Sequence, residues 1–262
     1  MDHIAVRERL GAPDLAPIDT PEHRPLKAVW LGRTGYRDAW ALQKEAAAAR
    51  ADDRIPDQLF LLEHEPVLTL GRQADEAHVR ASGDELRRRG IEVIRVERGG
   101  EVTYHGPGQL VAYPIIALSR RGLMLRPLVR ALEGAMLDTC GAFGVAAIRR
   151  DGHPGCWVDG SEADVTGESA AWPPASGPRK IGALGLRVER GVSYHGIALN
   201  IDPDLADFEL IDACGMPGVV STSIAVEAGR PGEPPSTAAV EHAGGVFAAA
   251  FARRIGVELD LP

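Results

Sequence analysis

Apolar and polar positions alternate along Ile91–Glu97 (IEVIRVE), a period of two that predicts a half-buried strand. Lys27–Leu31, Gln58–His64, Val67–Leu70 and Gln109–Ile116 also carry strand-like apolar patterns, with Glu65-Pro66 separating the second from the third. Val145–Ile148, Cys156–Val158, Lys180–Glu189 and Ser193–Ile201 complete the predicted strands. Tyr36–Arg50 (YRDAWALQKEAAAAR) is rich in good helix formers and sets Tyr36 and Trp40 four apart on one face. Longer helices are predicted over Leu125–Phe143 and over the alanine-rich stretch Thr237–Ile255. Strands and helices are interspersed without a regular βαβ rhythm. The expected fold class is therefore α+β, a mixed sheet rather than a doubly wound one.

Three stretches fall outside these patterns. Residues 1–25 mix charges and prolines and are expected to form a flexible N-terminal extension. The segment 161–178 is small, polar and proline-rich, and reads as a surface loop inserted between two strands. The segment 229–236 reads as a linker before the last helix. Residues 26–262 are then expected to make one catalytic domain, a size that a single large core can support.

Composition narrows the function classes. A net charge of −8 disfavours general nucleic-acid binding, which needs clustered Lys and Arg. No run of about 18 apolar residues is present, so no membrane span is expected. The N-terminal stretch has no apolar core of the kind a secretory signal needs, which predicts a cytoplasmic protein. Three cysteines, Cys140, Cys156 and Cys214, are too sparse for a disulfide framework in a chain this large. An acidic partner would have to dock through a local basic rim, for which Arg72, Arg120, Arg121, Arg149, Arg150 and Arg179 are candidates, although arginines there are as often merely solvated.

Three segments carry candidate chemistry. Arg98–Pro114 (RGGEVTYHGPGQLVAYP) packs four glycines and two prolines around a Tyr-His pair. Such a loop can bring backbone N–H groups close to a ligand oxygen, though an isolated glycine-rich turn is more often a tight connection. It is not a dinucleotide fingerprint, because no helix follows the glycines. Lys180 opens an apolar strand, where partial desolvation would lower its pKa and suit it to proton transfer; a lysine at a strand end is usually just solvated. Cys214 lies between Ala213 and Gly215 on a loop, the better nucleophile of the three, whereas Cys140 has the setting of an inert buried thiol. His153 and Cys156 are close in sequence, but no second pair completes a metal site. Thr103-Tyr-His-Gly106 is echoed by Ser193-Tyr-His-Gly196, which suggests two loops converging on one site.

Taken in order, Leu61–Arg72 (LLEHEPVLTLGR), the Arg98–Pro114 block, RKIGALGLRV, GVSYHGIALNI and ACGMPGVVSTS resemble the octanoyltransferase family of lipoate biosynthesis, octanoyl-[acyl-carrier-protein]:protein N-octanoyltransferases. The resemblance spans roughly Lys27–Ile224. It implies a fold similar to the biotin and lipoate protein ligase catalytic domains, with a large mixed sheet flanked by helices and a small sheet beside it. It implies that Cys214 carries the acyl group as a thioester and that Lys180 lowers the thiol's pKa. By the same resemblance the acyl site is lined by Arg98, Gly99, Gly100, Glu101, Val102, Thr103, Tyr104 and His105, by Ala183, Leu184 and Gly185, and by Gly196, Ile197 and Ala198. The implied donor is octanoyl-acyl carrier protein. The implied acceptors are lipoyl domains of 2-oxoacid dehydrogenase complexes and the glycine cleavage H protein. A monomer without cofactor or metal is expected, since thioester exchange followed by amide formation needs neither. Octanoyl selectivity rests on the resemblance alone, because a pocket discriminates one methylene only about 10–200-fold. Three rivals differ in chemistry: an ATP-dependent lipoate or octanoate ligase on the same fold, a hydrolase pairing Cys214 with His105 or His195, and a non-catalytic acyl-binding module.

Overall fold

The computed structural model describes residues 25–159, 177–216, 218–229 and 236–260. The expected extension over 1–25 and the expected loop over 161–178 fall outside the described residues, apart from Pro25, Gly177 and Pro178. Most of the 229–236 linker does too.

The elements in chain order are β1 (Leu26–Thr34), α1 (Tyr36–Ala51), β2 (Gln58–His64), β3 (Val67–Leu70), α2 (Gly83–Arg89), β4 (Glu92–Arg95), β5 (Val102–His105), β6 (Gln109–Ile115), α3 (Leu125–Ala142), β7 (Ala147–Arg150), β8 (His153–Val158), β9 (Arg179–Glu189), β10 (Val192–Asn200), β11 (Val220–Ser221), α4 (Ile224–Glu227), α5 (Thr237–Ile255) and β12 (Leu259–Asp260). The large sheet runs β12-β1-β2-β6-β10-β9-β8-β7, with β11 added beside β9; the small sheet runs β4-β3-β5. The sheets are mixed: β1 pairs in parallel with β2, whereas β6, β10, β9 and β8 are antiparallel neighbours. This is the α+β arrangement with one large and one small sheet.

The central strands β2, β6 and β10 are buried throughout and mostly apolar because both faces of the large sheet are covered. In β2, Leu59 and Leu61 join a core with α3 and α5, while Phe60 and Leu62 join a second core with Ala39, Leu42 and Ala46 of α1. β6 splits the same way, Leu110 and Ala112 to one side, Val111, Tyr113 and Ile115 to the other. The small sheet has a separate core. Leu68, Val102 and Tyr104 pack there with Leu86 of α2 and with Leu210, Ile211 and Ala213, the residues leading up to Cys214. The cysteine loop thus belongs to the small sheet, and the lysine strand to the large one.

One buried charge cluster holds the end of α1 against the strands. Asp57 is 1% exposed and its Oδ1 accepts from Arg50 Nε at 2.6 Å and from the Ala117 N–H at 3.0 Å. Its Oδ2 accepts from Arg121 Nε at 2.6 Å. Removing the carboxylate leaves two largely buried guanidinium groups without their shared partner, so Asp57→Ala is expected to cost about 3–5 kcal/mol of stability. Urea unfolding checks this; a loss under about 1 kcal/mol would show that solvent replaces the carboxylate there.

Candidate active site

Lys180 and Cys214 are brought together by strand pairing. β11 follows the Cys214 loop and pairs in parallel with β9, placing Ser221 opposite Lys180, and the Thr222 N–H donates to the Lys180 carbonyl at 2.9 Å. The result is a Lys180 Nζ to Cys214 Sγ distance of 3.1 Å. The lysine, 7% exposed, also donates to the Pro154 carbonyl at 3.3 Å and lies 4.8 Å from the Trp157 ring centroid. Trp157 sits opposite Lys180 across the β8–β9 pair. A side chain at Gly155 (φ 127°) would collide with the Gly182 carbonyl and crowd Lys180 Cε at 3.2 Å, so glycine there leaves the lysine its channel.

Cys214 itself has φ 59° and ψ 27°, a left-handed conformation that costs a non-glycine residue about 1–3 kcal/mol. Hydrogen bonds from Gly215 N–H to the Asp212 carbonyl (2.9 Å) and from Asp212 N–H to the His78 carbonyl (2.8 Å) hold the turn. The thiol is half-buried; Cys140 and Cys156 are fully buried, with sulfurs 3.9 Å apart. The hydrogen bond with Cys140 and burial push the Cys156 thiol up.

Both groups open onto a cavity of about 440 Å³ between the two sheets. Its lining includes Arg98, Gly99, Gly100, Glu101, Val102, Thr103 and His105 from the small-sheet side. Ala183, Leu184 and Gly185 of β9 and Gly196, Ile197 and Ala198 of β10 line it from the large sheet. A side chain at Gly185 would strike the Gly99 carbonyl at 2.7 Å, so glycine there lets the Arg98–Glu101 loop lie against β9. Tyr104 is the exception among the expected residues. It sits between Thr103 and His105 on a strand, so it points to the opposite face, where its hydroxyl donates to Asp207 Oδ2 at 2.6 Å. Sequence reading missed Tyr36, Gln73, Tyr113, Leu125, Val129, Pro154, Leu186 and Met216 in the lining. Leu186 and Met216 lie close to the expected Gly185 and Cys214 in the sequence, whereas Tyr36, Gln73, Tyr113, Leu125, Val129 and Pro154 reach the cavity only through three-dimensional packing. His105 and His195, from the echoed Tyr-His segments, both line it, but from strands β5 and β10 rather than from loops.

Buried polar groups stiffen this wall. His105 Nδ1 bonds Gln109 Oε1 at 2.7 Å, Gln109 Nε2 donates to Asn200 Oδ1 at 2.9 Å, and Asn200 Nδ2 donates to the Thr222 carbonyl at 2.8 Å. The line ends on the segment that bonds Lys180. Arg98 is a buried cation with neutral acceptors: Thr69 O at 2.7 Å, Thr69 Oγ1 at 2.8 Å and Gly99 O at 3.0 Å. Burial pulls its pKa below the ordinary value.

Burial also lowers His64 to about 4 and His195 to about 3, and takes His105 well below the usual range. These rings are neutral at physiological pH and poor bases, and the hydrogen-bond partner of the Cys214 sulfur is Lys180 rather than a histidine. A depressed histidine pKa means the unfolded chain binds the proton first. The stability these rings contribute is complete above about pH 6.5 and is lost as pH falls toward their folded values. Urea midpoints are therefore expected to drop between pH 7 and pH 5, with each ring contributing at most about 1.4 kcal/mol per pH unit. An unchanged midpoint would contradict the buried neutral assignment.

The expected basic rim needs correction. Arg121 is buried against Asp57, and Arg179 is buried in a two-pronged pair with Glu227 at 2.8 Å. Arg120 pairs with Asp53, and Arg149 reaches Glu133 at 3.2 Å. Burial takes Arg121 and Arg179 off the surface, Arg120 and Arg149 are drawn to carboxylates, and Arg72 and Arg150 have no carboxylate partner among the described residues.

The profile described as Lipoyl protein ligase A/B catalytic domain matches residues 35–238. An octanoyltransferase of Aromatoleum aromaticum is 43% identical over 217 residues, 82% of this chain and 82% of the relative. An octanoyltransferase of Chloroflexus aggregans is 42% identical over 208 residues, 79% of this chain and 87% of the relative. Among solved structures, an archaeal bipartite lipoate protein ligase with its E2 lipoyl domain from Thermoplasma acidophilum superposes with a TM-score of 0.59 at 14% identity, covering 92% of this chain and 88% of that one. Lipoate-protein ligase A bound with ATP gives 0.54 at 15% identity, covering 91% of this chain and 90% of that one. At these identities the structural likeness shows the fold.

Proposed function

The chain belongs to the lipoyl protein ligase A/B catalytic-domain family, and from that premise we propose a double-displacement octanoyl transfer in which Cys214 carries the acyl group and Lys180 moves the protons. It is an acyltransferase that transfers octanoyl groups in lipoate biosynthesis, like the octanoyltransferases it resembles. The observation that carries the residue assignment is the 3.1 Å approach of Nζ to Sγ at the edge of the cavity.

The donor in this reading is octanoyl-acyl carrier protein. A free thiol has a pKa of about 8.5, so few thiols are ionised at neutral pH. Lys180 takes the Cys214 proton and, as an ammonium, holds the thiolate beside it. The thiolate attacks the thioester carbonyl; the bond to the carrier's sulfur breaks, and that sulfur leaves with the proton from Lys180. In the second half, the amine of an acceptor lysine attacks the Cys214 thioester, gives its proton to Lys180 and releases the Cys214 thiolate. Acceptors are lipoyl domains of 2-oxoacid dehydrogenase complexes and the glycine cleavage H protein. Atoms balance in both halves without ATP or metal. The buried Arg98 guanidinium lines the same cavity and sets a fixed positive charge against negative charge that develops there.

In this reading residues 26–262 act as one monomeric catalytic domain in the cytoplasm. Among the described residues no helix is long and apolar enough to cross a membrane. The test offers the protein two octanoyl sources: octanoyl carrier protein without ATP, and free octanoate with ATP. Transfer to a lipoyl domain is expected from the first alone. Transfer from the second alone would replace this reading by an adenylating ligase, and release of free octanoate from the first would replace it by a hydrolase.

A further inference from the structure

The two most exposed large hydrophobic side chains among the described residues are neighbours: Met124 (72% exposed) and Leu125 (48%), at the start of α3. Leu125 and Val129 lie one helical turn apart and both line the cavity that holds Cys214 and Lys180. Exposed Arg126, beside them, makes no hydrogen bond or ion pair among the described residues. Arg150 sits across the β7–β8 turn from His153, which also lines the cavity; its guanidinium lies 4.9 Å from the Trp157 ring centroid and has no carboxylate partner among the described residues. Arg72 is exposed beside Gln73, another lining residue. Of the nearby carboxylates, Glu101 accepts from the Asp75 N–H at 3.2 Å, and Asp151 follows Arg150 in the turn.

We infer that this lip, Met124, Leu125 and Arg126 with Arg150 beside the opening, docks the acidic carrier protein that delivers the acyl thioester. The inference rests on the acyl-transfer reading of Cys214 and adds the place where the donor sits. The chain carries a net charge of −8, so an acidic partner is repelled over most of the surface and attracted where cations stand unpaired. Two exposed apolar side chains supply a desolvated anchor amid those cations. The positive end of the α3 dipole points the same way.

The occupant is the donor rather than the acceptor because of where the sulfur sits. Cys214 is held on the small-sheet side, whereas α3 packs against the large sheet. A protein docked on α3 therefore stands across the opening from the sulfur. A thioester on a long phosphopantetheine arm spans that offset, but a lysine on a folded acceptor must be set over the sulfur itself.

The test uses the full chain and follows acylation of Cys214 with two donors, octanoyl carrier protein and the small thioester octanoyl-N-acetylcysteamine. Arg126→Glu and Met124→Ser are separate variants; serine at the N-cap position of α3 suits the helix start. Each is expected to raise KM for the carrier-bound donor, Arg126→Glu by about tenfold or more, with the small thioester unaffected. An equal loss with both donors, no loss with either, or a rise in KM confined to the lipoyl-domain acceptor would each overturn the docking inference. Failure of the wild type to be acylated by either donor would instead remove the acyl-transfer reading, and the lip with it.

Discussion

Lys180→Ala is expected to slow octanoyl transfer from the carrier to Cys214 by roughly 10²–10⁴-fold at neutral pH, the range for loss of a positioned acid-base group. The side chain is the sulfur's hydrogen-bond partner at 3.1 Å, and no other described residue donates to that sulfur. Without it the proton must go to solvent, as it does from a free thiol, whose pKa is about 8.5. The deficit should therefore shrink as pH rises through that value, because the thiolate then forms unaided. A deficit that stays constant from pH 6.5 to 9.5 would mean that the lysine acts by packing against Trp157 and not by handling a proton. Unfolding curves of the variant serve as the control, since Lys180 is buried and its loss opens space beside Pro154.

Cys214→Ala should remove transfer to lipoyl domains altogether, a fall of roughly 10⁴-fold or more, in line with nucleophile deletions that act through a covalent intermediate. The fold should survive. Alanine is smaller than cysteine, and the half-buried thiol takes no part in the small-sheet core. The left-handed backbone at this position is as unfavourable for alanine as for cysteine, so stability is expected to change by less than about 1 kcal/mol. Residual transfer within about tenfold of wild type would point to direct attack by the acceptor lysine on the carrier thioester, with no acyl-enzyme.

Much of this is legible in the amino-acid sequence. Apolar runs such as Gln58–His64 and Gln109–Ile116 are strands buried on both faces, and the long helices appear within a residue or so of their expected ends. Among the short elements, Val67–Leu70 and Glu92–Arg95 are legible and three others are not. β5 is embedded in the glycine-rich block, where four residues between turn formers gave no clean alternation. α2 buries only Leu86, so it has almost no apolar stripe, yet Ser82 with Glu85 three residues on and Gly90 behind form a cap signature that marks it. β11 is two residues long, and it is the element that brings Lys180 to Cys214. Its pairing depends on a partner 41 residues away in the chain (221 − 180), beyond the reach of local pattern.

The candidate site divides along the same line. Lys180, Cys214 and the glycine block stand out as residue types in unusual settings. The contiguous reading of Arg98–His105 included Tyr104, which strand alternation turns away from the cavity. Trp157 and Gly155, which shape the channel for the lysine, show themselves only across the β8–β9 pairing. Tyr36 and Tyr113 reach the cavity from α1 and β6, through the folding of α1 over the large sheet.

The most direct test is intact-mass spectrometry of the full chain after brief mixing with octanoyl carrier protein, without acceptor. The account predicts one octanoyl group on the wild type, removable by hydroxylamine as a thioester is, and none on Cys214→Ala even though Cys140 and Cys156 remain. Octanoyl mass on the Cys214→Ala protein, or an unmodified wild type that still modifies lipoyl domains, would contradict it.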